Sequence, residues 1–264
     1  MQDLILTYLQ TDLVWENPQA NRLYFSEMIL DPDVNSDLIV LPETFTTGFP
    51  VDPVVFAETE DGETINWMRE MAAAKQAVIC GSLLLQKRGK FFNTFVWMPP
   101  SGEALYYDKR HVFRMGGEHQ LVEAGKENIT IALKGWKIRP QICYDLRFPV
   151  WSRNRFSEGK HEFDLLIYVA NWPAVRAYPW KSLLIARAIE NQCFVLGVNR
   201  VGTAPGNVIY SGDSRLIGPK GEIISMVAPE ASQMITVKLL ADELLQFRDA
   251  FQVGLDWDSF GLES

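Results

Sequence analysis

Strand–helix–strand patterns constrain the fold of this chain more than any other feature. The clearest lies between residues 165 and 199, where the apolar run Leu165–Ala170 precedes a helical pattern over Pro179–Gln192 and a second run, Phe194–Asn199. The early part of the chain repeats this order, with a helix that begins at Asn17-Pro18 as cap and first helical residue. Two strands joined by a helix usually lie parallel in one sheet. We therefore expect an α/β fold.

Shorter apolar runs bounded by turn residues predict further strands. The additional predicted strands are Leu4–Leu9, Leu38–Leu41, Val78–Leu85, Phe91–Met98, Lys137–Cys143, Val208–Ile217, Ile223–Val227 and Gln233–Val237. Turns at Gly89, at Ser101-Gly102 and at Gly218–Gly221 separate neighbouring runs and predict antiparallel hairpins. One more helix is predicted over Glu63–Lys75. Together these elements predict mixed sheets with helices covering their faces.

The domain organisation predicted from the sequence is simple. The 264 residues contain no repeat, low-complexity tract or clear linker, and single α/β domains often reach this length. We predict one domain over residues 1–240 and a C-terminal tail over residues 241–264. The tail carries Phe251, Trp257 and Phe260, which we expect to pack on the body of the protein or on a partner subunit.

Charge and cysteine content exclude several classes of protein. The net charge is −8 and no cluster of Lys and Arg is present, which argues against a nucleic-acid or membrane-surface partner. No apolar run approaches the roughly 20 residues that a membrane helix needs, and no signal peptide is visible. Three cysteines are too few for a disulfide framework and favour the cytoplasm. Three histidines without metal-like spacing predict neither a metal site nor a cofactor.

Three short segments each place a reactive side chain near the end of a predicted strand. Glu43 lies in LPETFTTGF, Lys109 in YYDKRHVF and Cys143 in ICYDLRFP. Strand ends at the edge of an α/β sheet are where such folds assemble their sites. Taken singly, each residue has an ordinary structural interpretation as a buried thiol, a solvated turn residue or a surface cation. Cys80 and Cys193 have only apolar surroundings and are expected to be core thiols.

The three residue types together suit acyl transfer through a thioester. A neutral thiol needs a base to become a nucleophile, and Glu43 could take its proton, return it to a departing amine and then activate water. Lys109 could stabilise the oxyanion of each tetrahedral intermediate, with the backbone N–H of Tyr144 as a second donor.

The same motifs, in this order, resemble those of the nitrilase (carbon–nitrogen hydrolase) superfamily. The resemblance extends through VANWP, ARAIENQCFVLGVNRVG and SRLIGPKGEII and covers all but the final tail. It implies a four-layer α-β-β-α sandwich and a triad of Glu43 as general base, Lys109 as oxyanion stabiliser and Cys143 as nucleophile. It also implies a second glutamate that positions substrate and water, for which Glu118 in MGGEH is our candidate, ahead of Glu123 and Glu127. The alternative for Glu118 is a solvated loop residue.

The resemblance further implies a homodimer or a larger homo-oligomer. The helix over residues 179–192 and a helix beginning at Pro149 are the interface elements that we expect.

CYDLRFP and PETFTTGF are most similar to the omega-amidase group of this superfamily. Such enzymes hydrolyse the terminal amide of 2-oxo dicarboxylic acid monoamides, such as 2-oxoglutaramate and 2-oxosuccinamate, and release ammonia. Arg147 could bind the substrate carboxylate, since its planar fork suits that group. The alternative is that Arg147 pairs with Asp145, which we expect to brace the turn, or with another structural acid. Trp172 and Phe113 could line a small pocket or belong to the core.

Two other functions remain open from the sequence. One keeps the triad and changes the substrate, as in an N-carbamoyl amine hydrolase or another aliphatic amidase. The other is a binding module that kept the fold without catalysis, which the intact triad disfavours.

Overall fold

Two six-stranded mixed sheets lie face to face in the computed structural model, which describes residues 1–262. In chain order the strands are β1 (Leu4–Gln10), β2 (Leu38–Val40), β3 (Val78–Lys87), β4 (Lys90–Met98), β5 (Leu105–Asp108), β6 (Ile131–Leu133), β7 (Trp136–Ile142), β8 (Phe156–Ser157), β9 (Lys160–His161), β10 (Leu165–Ala170), β11 (Phe194–Asn199), β12 (Val201–Ala204), β13 (Val208–Ser211), β14 (Arg215–Ile217), β15 (Ile223–Met226) and β16 (Gln233–Leu239). The first sheet has the order β16-β1-β2-β3-β4-β5, and the second has the order β15-β14-β11-β10-β7-β6.

Helices cover the outer face of each sheet. The α-helices are α1 (Pro18–Ile29), α2 (Pro53–Phe56), α3 (Glu63–Lys75), α4 (Glu118–Leu121), α5 (Ala177–Asn191) and α6 (Ala241–Ala250). Buried residues of α1 and α3 pack on the first sheet, and those of α5 pack on the second. This arrangement is an α-β-β-α sandwich, so the predicted fold class is confirmed.

Strand periodicity explains why the two sheets stack. In β10 the side chains of Leu165, Ile167 and Val169 join the core between the sheets, whereas the intervening residues pack towards α5. Both faces of this parallel strand are therefore buried, as its continuous apolar sequence predicts.

The predicted parallel units and hairpins are confirmed. β1 pairs in parallel with β2, and β10 pairs in parallel with β11, each across its helix. The side chain of Asn17 accepts a hydrogen bond from the backbone N–H of Ala20 at 3.0 Å and so caps α1 as predicted. β3 and β4 form a hairpin around Gly89, β4 and β5 pair across Gly102, and β14 pairs with β15 across Gly218–Gly221.

The prediction of one strand over Val208–Ile217 is wrong. β13 ends at Ser211 and pairs with β12, whereas β14 belongs to the second main sheet. Between them Gly212 and Asp213 have φ values of 72° and 61°, in the left-handed region that interrupts a strand. A side chain at Gly212 would also collide with Gln10, since a Cβ there would lie 2.1 Å from its amide carbon.

The helix expected from Pro149 is not formed either. Residues 149–152 form a turn instead, and the residues after it form a loop that the side chain of Asn154 holds together. The side-chain oxygen of Asn154 accepts hydrogen bonds from the backbone N–H groups of Arg155, Glu162 and Phe163. These bonds hold residues 154–163 in a loop, and a helix over the same residues would break them.

The segment after residue 240 begins with a helix that packs on the body. Ala241 and Leu244 of α6 join the core between the sheets, and Arg248 is ion-paired with Asp164. Beyond it, the Trp257 ring lies 5.4 Å from that of His161. Residues 263 and 264 of the predicted tail lie outside the described residues.

Within residues 1–262, no helix combines the length and apolar composition needed to cross a bilayer.

Candidate active site

Strand ends from both sheets meet at one place, and the reactive residues lie there. Glu43 follows β2 by a short turn, and Lys109 directly follows β5, both in the first sheet. Cys143 directly follows β7 and Asn171 directly follows β10, both in the second sheet. The three residues predicted from separate motifs are therefore brought together between the sheets.

Cys143 has an unusual backbone conformation. The strand was predicted to include it, but β7 ends at Ile142 and Cys143 has a φ of 43°. A non-glycine residue rarely adopts this left-handed conformation, and such residues cluster at functional sites. Cys143 also begins a short 3-10 helix that ends at Arg147. The first N–H groups of a helix have no partner within it, so the N–H of Tyr144 is available to a bound group.

A buried group of four side chains, which we call the charged cluster, lies beside Cys143. It consists of Glu43, Asn93, Lys109 and Glu118, none of them more than 1% exposed. The ammonium group of Lys109 lies 2.9 Å from Oε1 of Glu43 and 3.0 Å from each carboxylate oxygen of Glu118. One lysine thus links both glutamates.

Each carboxylate of the charged cluster has further donors. The amide of Asn93 donates to Oε1 of Glu43 at 2.9 Å and to Oε1 of Glu118 at 3.3 Å. The backbone N–H of Asn171 donates to Oε2 of Glu43 at 2.6 Å, and that of Phe113 donates to Oε2 of Glu118. These bonds fix the orientation of both carboxylates.

The pKa directions follow from burial and from these contacts. Burial raises the pKa of the Cys143 thiol well above its ordinary value, and the negative charge of Glu43 adds to this effect. Burial opposes the charge of Lys109, but the carboxylates of Glu118 and Glu43 outweigh it and raise the pKa of this lysine. Burial also raises the pKa of Glu118. The resting site therefore holds a neutral thiol beside a permanent ammonium group.

Asp145 braces the turn after the nucleophile, as predicted. Its buried carboxylate accepts hydrogen bonds from the Tyr107 hydroxyl at 2.8 Å, from the backbone N–H of His111 at 2.9 Å and from that of Ile142 at 3.0 Å. Within residues 1–262 neither Asp145 nor another acid lies at ion-pair distance from Arg147, so the structural pairing that was its alternative is not formed.

A small cavity opens above Cys143. Its volume is about 190 Å³. Its lining residues are Phe49, Pro50, Lys109, Phe113, Gly116, Cys143, Tyr144, Arg147, Asn171, Trp172, Pro173, Arg176, Val208 and Tyr210. Among these residues, the three with charged side chains are all cationic, and none is an aspartate or glutamate.

Most of the predicted site residues line this cavity or support it. Lys109, Cys143, Tyr144 and Arg147 line it, as do the two aromatic residues suggested by the sequence, Trp172 and Phe113. Glu43 and Glu118 lie behind it in the charged cluster. The guanidinium carbon of Arg147 lies 5.0 Å from the centre of the Trp172 ring, which holds the side chain flat against the wall.

Sequence reasoning missed three polar residues of the site. Asn93 is a polar residue within the otherwise largely apolar strand β4, and Asn171 is the first residue after β10. Both were visible as polar residues in or beside apolar runs. Arg176 carries no comparable local signal, because it reaches the cavity from the segment before α5.

No group of three or more His, Cys, Asp and Glu side chains within residues 1–262 is arranged to hold a metal ion.

Residues 6–249 match the family model for carbon-nitrogen hydrolases. The chain belongs to the carbon–nitrogen hydrolase family. The prediction of an enzyme that hydrolyses carbon–nitrogen bonds is thereby confirmed, as is the resemblance on which it depended.

Proteins similar to this chain include two bacterial amidases. An omega-amidase from Yersinia enterocolitica, YafV, is 44% identical over 260 residues, which cover 98% of this chain and 99% of the relative. A 2-oxoglutaramate amidase from Bacillus subtilis is 34% identical over 223 residues, which cover 83% of this chain and 85% of the relative.

A similar solved structure is that of a CN-hydrolase superfamily protein from Xanthomonas campestris with an arsenic adduct in its active site. It is 45% identical, covers 100% of both chains and superposes with a TM-score of 0.97.

Proposed function

We propose that this carbon–nitrogen hydrolase cleaves the terminal amide of small 2-oxo dicarboxylic acid monoamides, such as 2-oxoglutaramate and 2-oxosuccinamate, to the acid and ammonia. The observation that carries this proposal is the cavity beside Cys143, which is small and whose charged lining residues are all cations. A substrate with an amide at one end and a carboxylate at the other fits a thiol at the base and a guanidinium on the wall. The names of the Yersinia and Bacillus relatives point to the same chemistry.

In the first half-reaction the thiol of Cys143 attacks the amide carbonyl carbon. Glu43 takes the thiol proton as the carbon–sulfur bond forms, which the raised pKa of Cys143 makes necessary. The carbon–nitrogen bond then breaks, and Glu43 gives its proton to the departing nitrogen. The products of this step are ammonia and a thioester on Cys143.

In the second half-reaction water attacks the thioester. Glu43 accepts a proton from this water, the carbon–sulfur bond breaks, and the proton returns to the sulfur. Glu43 is suited to both steps because the donors on its two oxygens hold it in one orientation.

Four further groups support these steps. The ammonium group of Lys109 and the N–H of Tyr144 stabilise the oxyanion of each tetrahedral intermediate. Glu118 keeps Lys109 charged and in place through two hydrogen bonds of 3.0 Å, and positions substrate and water. Arg147 binds the carboxylate at the far end of the substrate.

A substrate panel tests this proposal. Purified protein is incubated with 2-oxoglutaramate, glutamine, an N-carbamoyl amine and a simple aliphatic nitrile, and ammonia release is followed over time. We expect 2-oxoglutaramate to give the highest kcat/KM. Preferred release from the N-carbamoyl amine would contradict the proposed substrate, and no release from any compound would favour a binding module.

A matched pair of cysteine variants tests the nucleophile. Cys143→Ala removes the proposed thiol, whereas Cys193→Ala removes a fully buried thiol that packs against α5. We expect ammonia release to be lost in the first variant and kept in the second. Release that survives in Cys143→Ala would overturn the nucleophile assignment.

We also propose that the protein works as a homodimer in the cytoplasm. Tyr178 near the start of α5 is 79% exposed, and the neighbouring Val175 is 84% exposed, which makes this region a candidate interface. The mass in solution, measured by light scattering after size-exclusion chromatography, should equal that of two chains; the mass of one chain would contradict the dimer.

A further inference from the structure

Arg176 places a second guanidinium group on the wall of the cavity that Arg147 lines. It is the last residue of a 3-10 helix between β10 and α5. Its guanidinium carbon lies 5.4 Å from the centre of the Phe113 ring. Its carbonyl oxygen accepts a hydrogen bond of 2.7 Å from the indole N–H of Trp172, the same ring on which Arg147 rests. The ring of Trp172 thus contacts the guanidinium group of Arg147 and the backbone of Arg176, and the guanidinium group of Arg176 lies on Phe113.

The charge of this pair is not balanced by the protein. Glu43 and Glu118 contact Lys109, the third cation of the cavity, and offset its charge. Within residues 1–262, neither Arg147 nor Arg176 has a carboxylate at ion-pair distance; both guanidinium groups contact aromatic rings instead. A guanidinium group donates hydrogen bonds and accepts none. The wall therefore offers two donor groups to a bound molecule.

A 2-oxo acid supplies acceptors for both donor groups. Its carboxylate and its adjacent carbonyl oxygen lie side by side, and all of these atoms accept hydrogen bonds. The corresponding 2-amino acid carries the same carboxylate but has an ammonium group in place of the carbonyl oxygen. That group only donates, and its charge has the same sign as that of a guanidinium.

We propose that Arg176 is a specificity-determining residue that selects a 2-oxo group over a 2-amino group next to the substrate carboxylate. This inference rests on the proposed function and divides the recognition between two residues. Arg147 binds the carboxylate, which both kinds of substrate share. Arg176 donates to the 2-oxo oxygen and repels a 2-ammonium group, so that the enzyme discriminates against glutamine partly by repulsion.

The test compares three amides that differ only at the 2-position. 2-Oxoglutaramate carries an oxo group there, glutaramate carries two hydrogens, and glutamine carries an ammonium group. The quantity measured is kcat/KM for each, from ammonia release. In Arg176→Gln we expect the ratio of 2-oxoglutaramate to glutamine to fall by about tenfold or more, through loss on the first and gain on the second.

Three further variants separate the parts of this effect. Arg176→Lys keeps the positive charge without the planar fork, so its ratio is expected to lie between those of the wild type and Arg176→Gln. Arg114→Gln removes the same charge from an exposed position in the 3-10 helix that follows Phe113. Its ratio of kcat/KM for 2-oxoglutaramate to that for glutamine is expected to match the wild type. Arg147→Lys is expected to lower kcat/KM for all three amides by similar factors, because all three carry the carboxylate.

The outcomes distinguish this inference from the proposed function. If the wild type hydrolyses 2-oxoglutaramate but the ratio is unchanged in a folded Arg176→Gln protein, the role of Arg176 is overturned and the proposed function stands. If Arg114→Gln shifts the ratio as much as Arg176→Gln, the selectivity comes from the general positive potential of the surface, and the proposed local contact of Arg176 is overturned. If the wild type does not hydrolyse 2-oxoglutaramate, the proposed function itself fails.

Discussion

The charged cluster and the pair of arginines on the cavity wall use cations in opposite ways. Lys109 is 1% exposed and lies within 3.0 Å of carboxylate oxygens of both glutamates. Arg147 and Arg176 are only partly buried and rest on the faces of Trp172 and Phe113. The lysine is satisfied before any substrate arrives, whereas the arginines can gain hydrogen bonds from one.

This difference suggests a division of labour. A buried ammonium group that is already paired and oriented costs no reorganisation when an oxyanion forms beside it. A guanidinium group on an aromatic face keeps its donors free and can bind an anion from solution. The charged cluster is accordingly expected to govern the rate of the reaction, and the arginines are expected to govern which substrate is bound.

Replacing Lys109 breaks the charged cluster and has the largest expected effect. Lys109→Met leaves two buried carboxylates without their shared cation, so we expect kcat to fall by about a hundredfold or more and the free energy of unfolding to fall by about 3–5 kcal/mol. Ammonia release and urea unfolding measure the two effects. Lys134→Met, which removes a lysine paired with Asp37 at the opposite end of β2 from Glu43, is expected to change kcat little. Near-normal kcat in Lys109→Met would contradict the expectation that the charged cluster governs the rate.

Asn93 tests whether the orientation of Glu43 matters to the rate. Asn93→Ala removes one donor from Glu43 and one from Glu118, so we expect kcat to fall by about tenfold to a hundredfold with little change in KM. Asn154→Ala removes an equally buried asparagine that holds a distant loop. It is expected to lower stability and leave the kcat of the folded protein unchanged. Equal kcat losses in both variants would indicate a merely structural role for Asn93.

Arg147→Lys tests whether the arginines of the cavity wall govern substrate binding. The substitution keeps the charge but loses the planar fork, so KM for 2-oxoglutaramate is expected to rise by about tenfold while kcat changes little. A neutral amide, butyramide, lacks the carboxylate and is expected to show almost no change. Equal rises in KM for both amides would remove Arg147 from carboxylate recognition.

The pH dependence of stability reports on Glu118 and is the smallest effect that we expect. Burial raises the pKa of Glu118 above its ordinary 4.5, so the folded protein holds this proton at a higher pH than the unfolded chain does. The folded state therefore loses stability from Glu118 as the pH rises above about 4.5. Glu118→Gln does not titrate, so its free energy of unfolding should rise relative to the wild type between pH 4.5 and 7.

Urea unfolding at several pH values measures this difference. Glu123→Gln, at an exposed glutamate paired with Lys90, is the control and should run parallel to the wild type. A Glu118→Gln curve that also runs parallel would contradict the inferred effect of burial.

The sequence predicted those parts of the fold and site that depend on local pattern. Apolar runs such as β2 and β10 predict the central strands, and the three motifs place Glu43, Lys109 and Cys143 near strand ends. The break at Gly212 was missed because it depends on left-handed backbone conformations and on the side chain of Gln10 from another strand. Asn93 and Asn171 were missed because their hydrogen bonds to Glu43 cross between elements that are distant in the chain. Arg176 was missed because only the folded chain places it on the same cavity wall as Arg147.

The proposed mechanism depends on the formation of a thioester on Cys143, and intact-mass spectrometry tests this step most directly. The wild type and Glu43→Gln are mixed with 2-oxoglutaramate, quenched in acid at short times, weighed and digested. We predict a mass increase equal to the substrate minus ammonia, located on the peptide that contains Cys143. An adduct on any other residue, or continued ammonia release while Cys143 stays unmodified in both proteins, would contradict it.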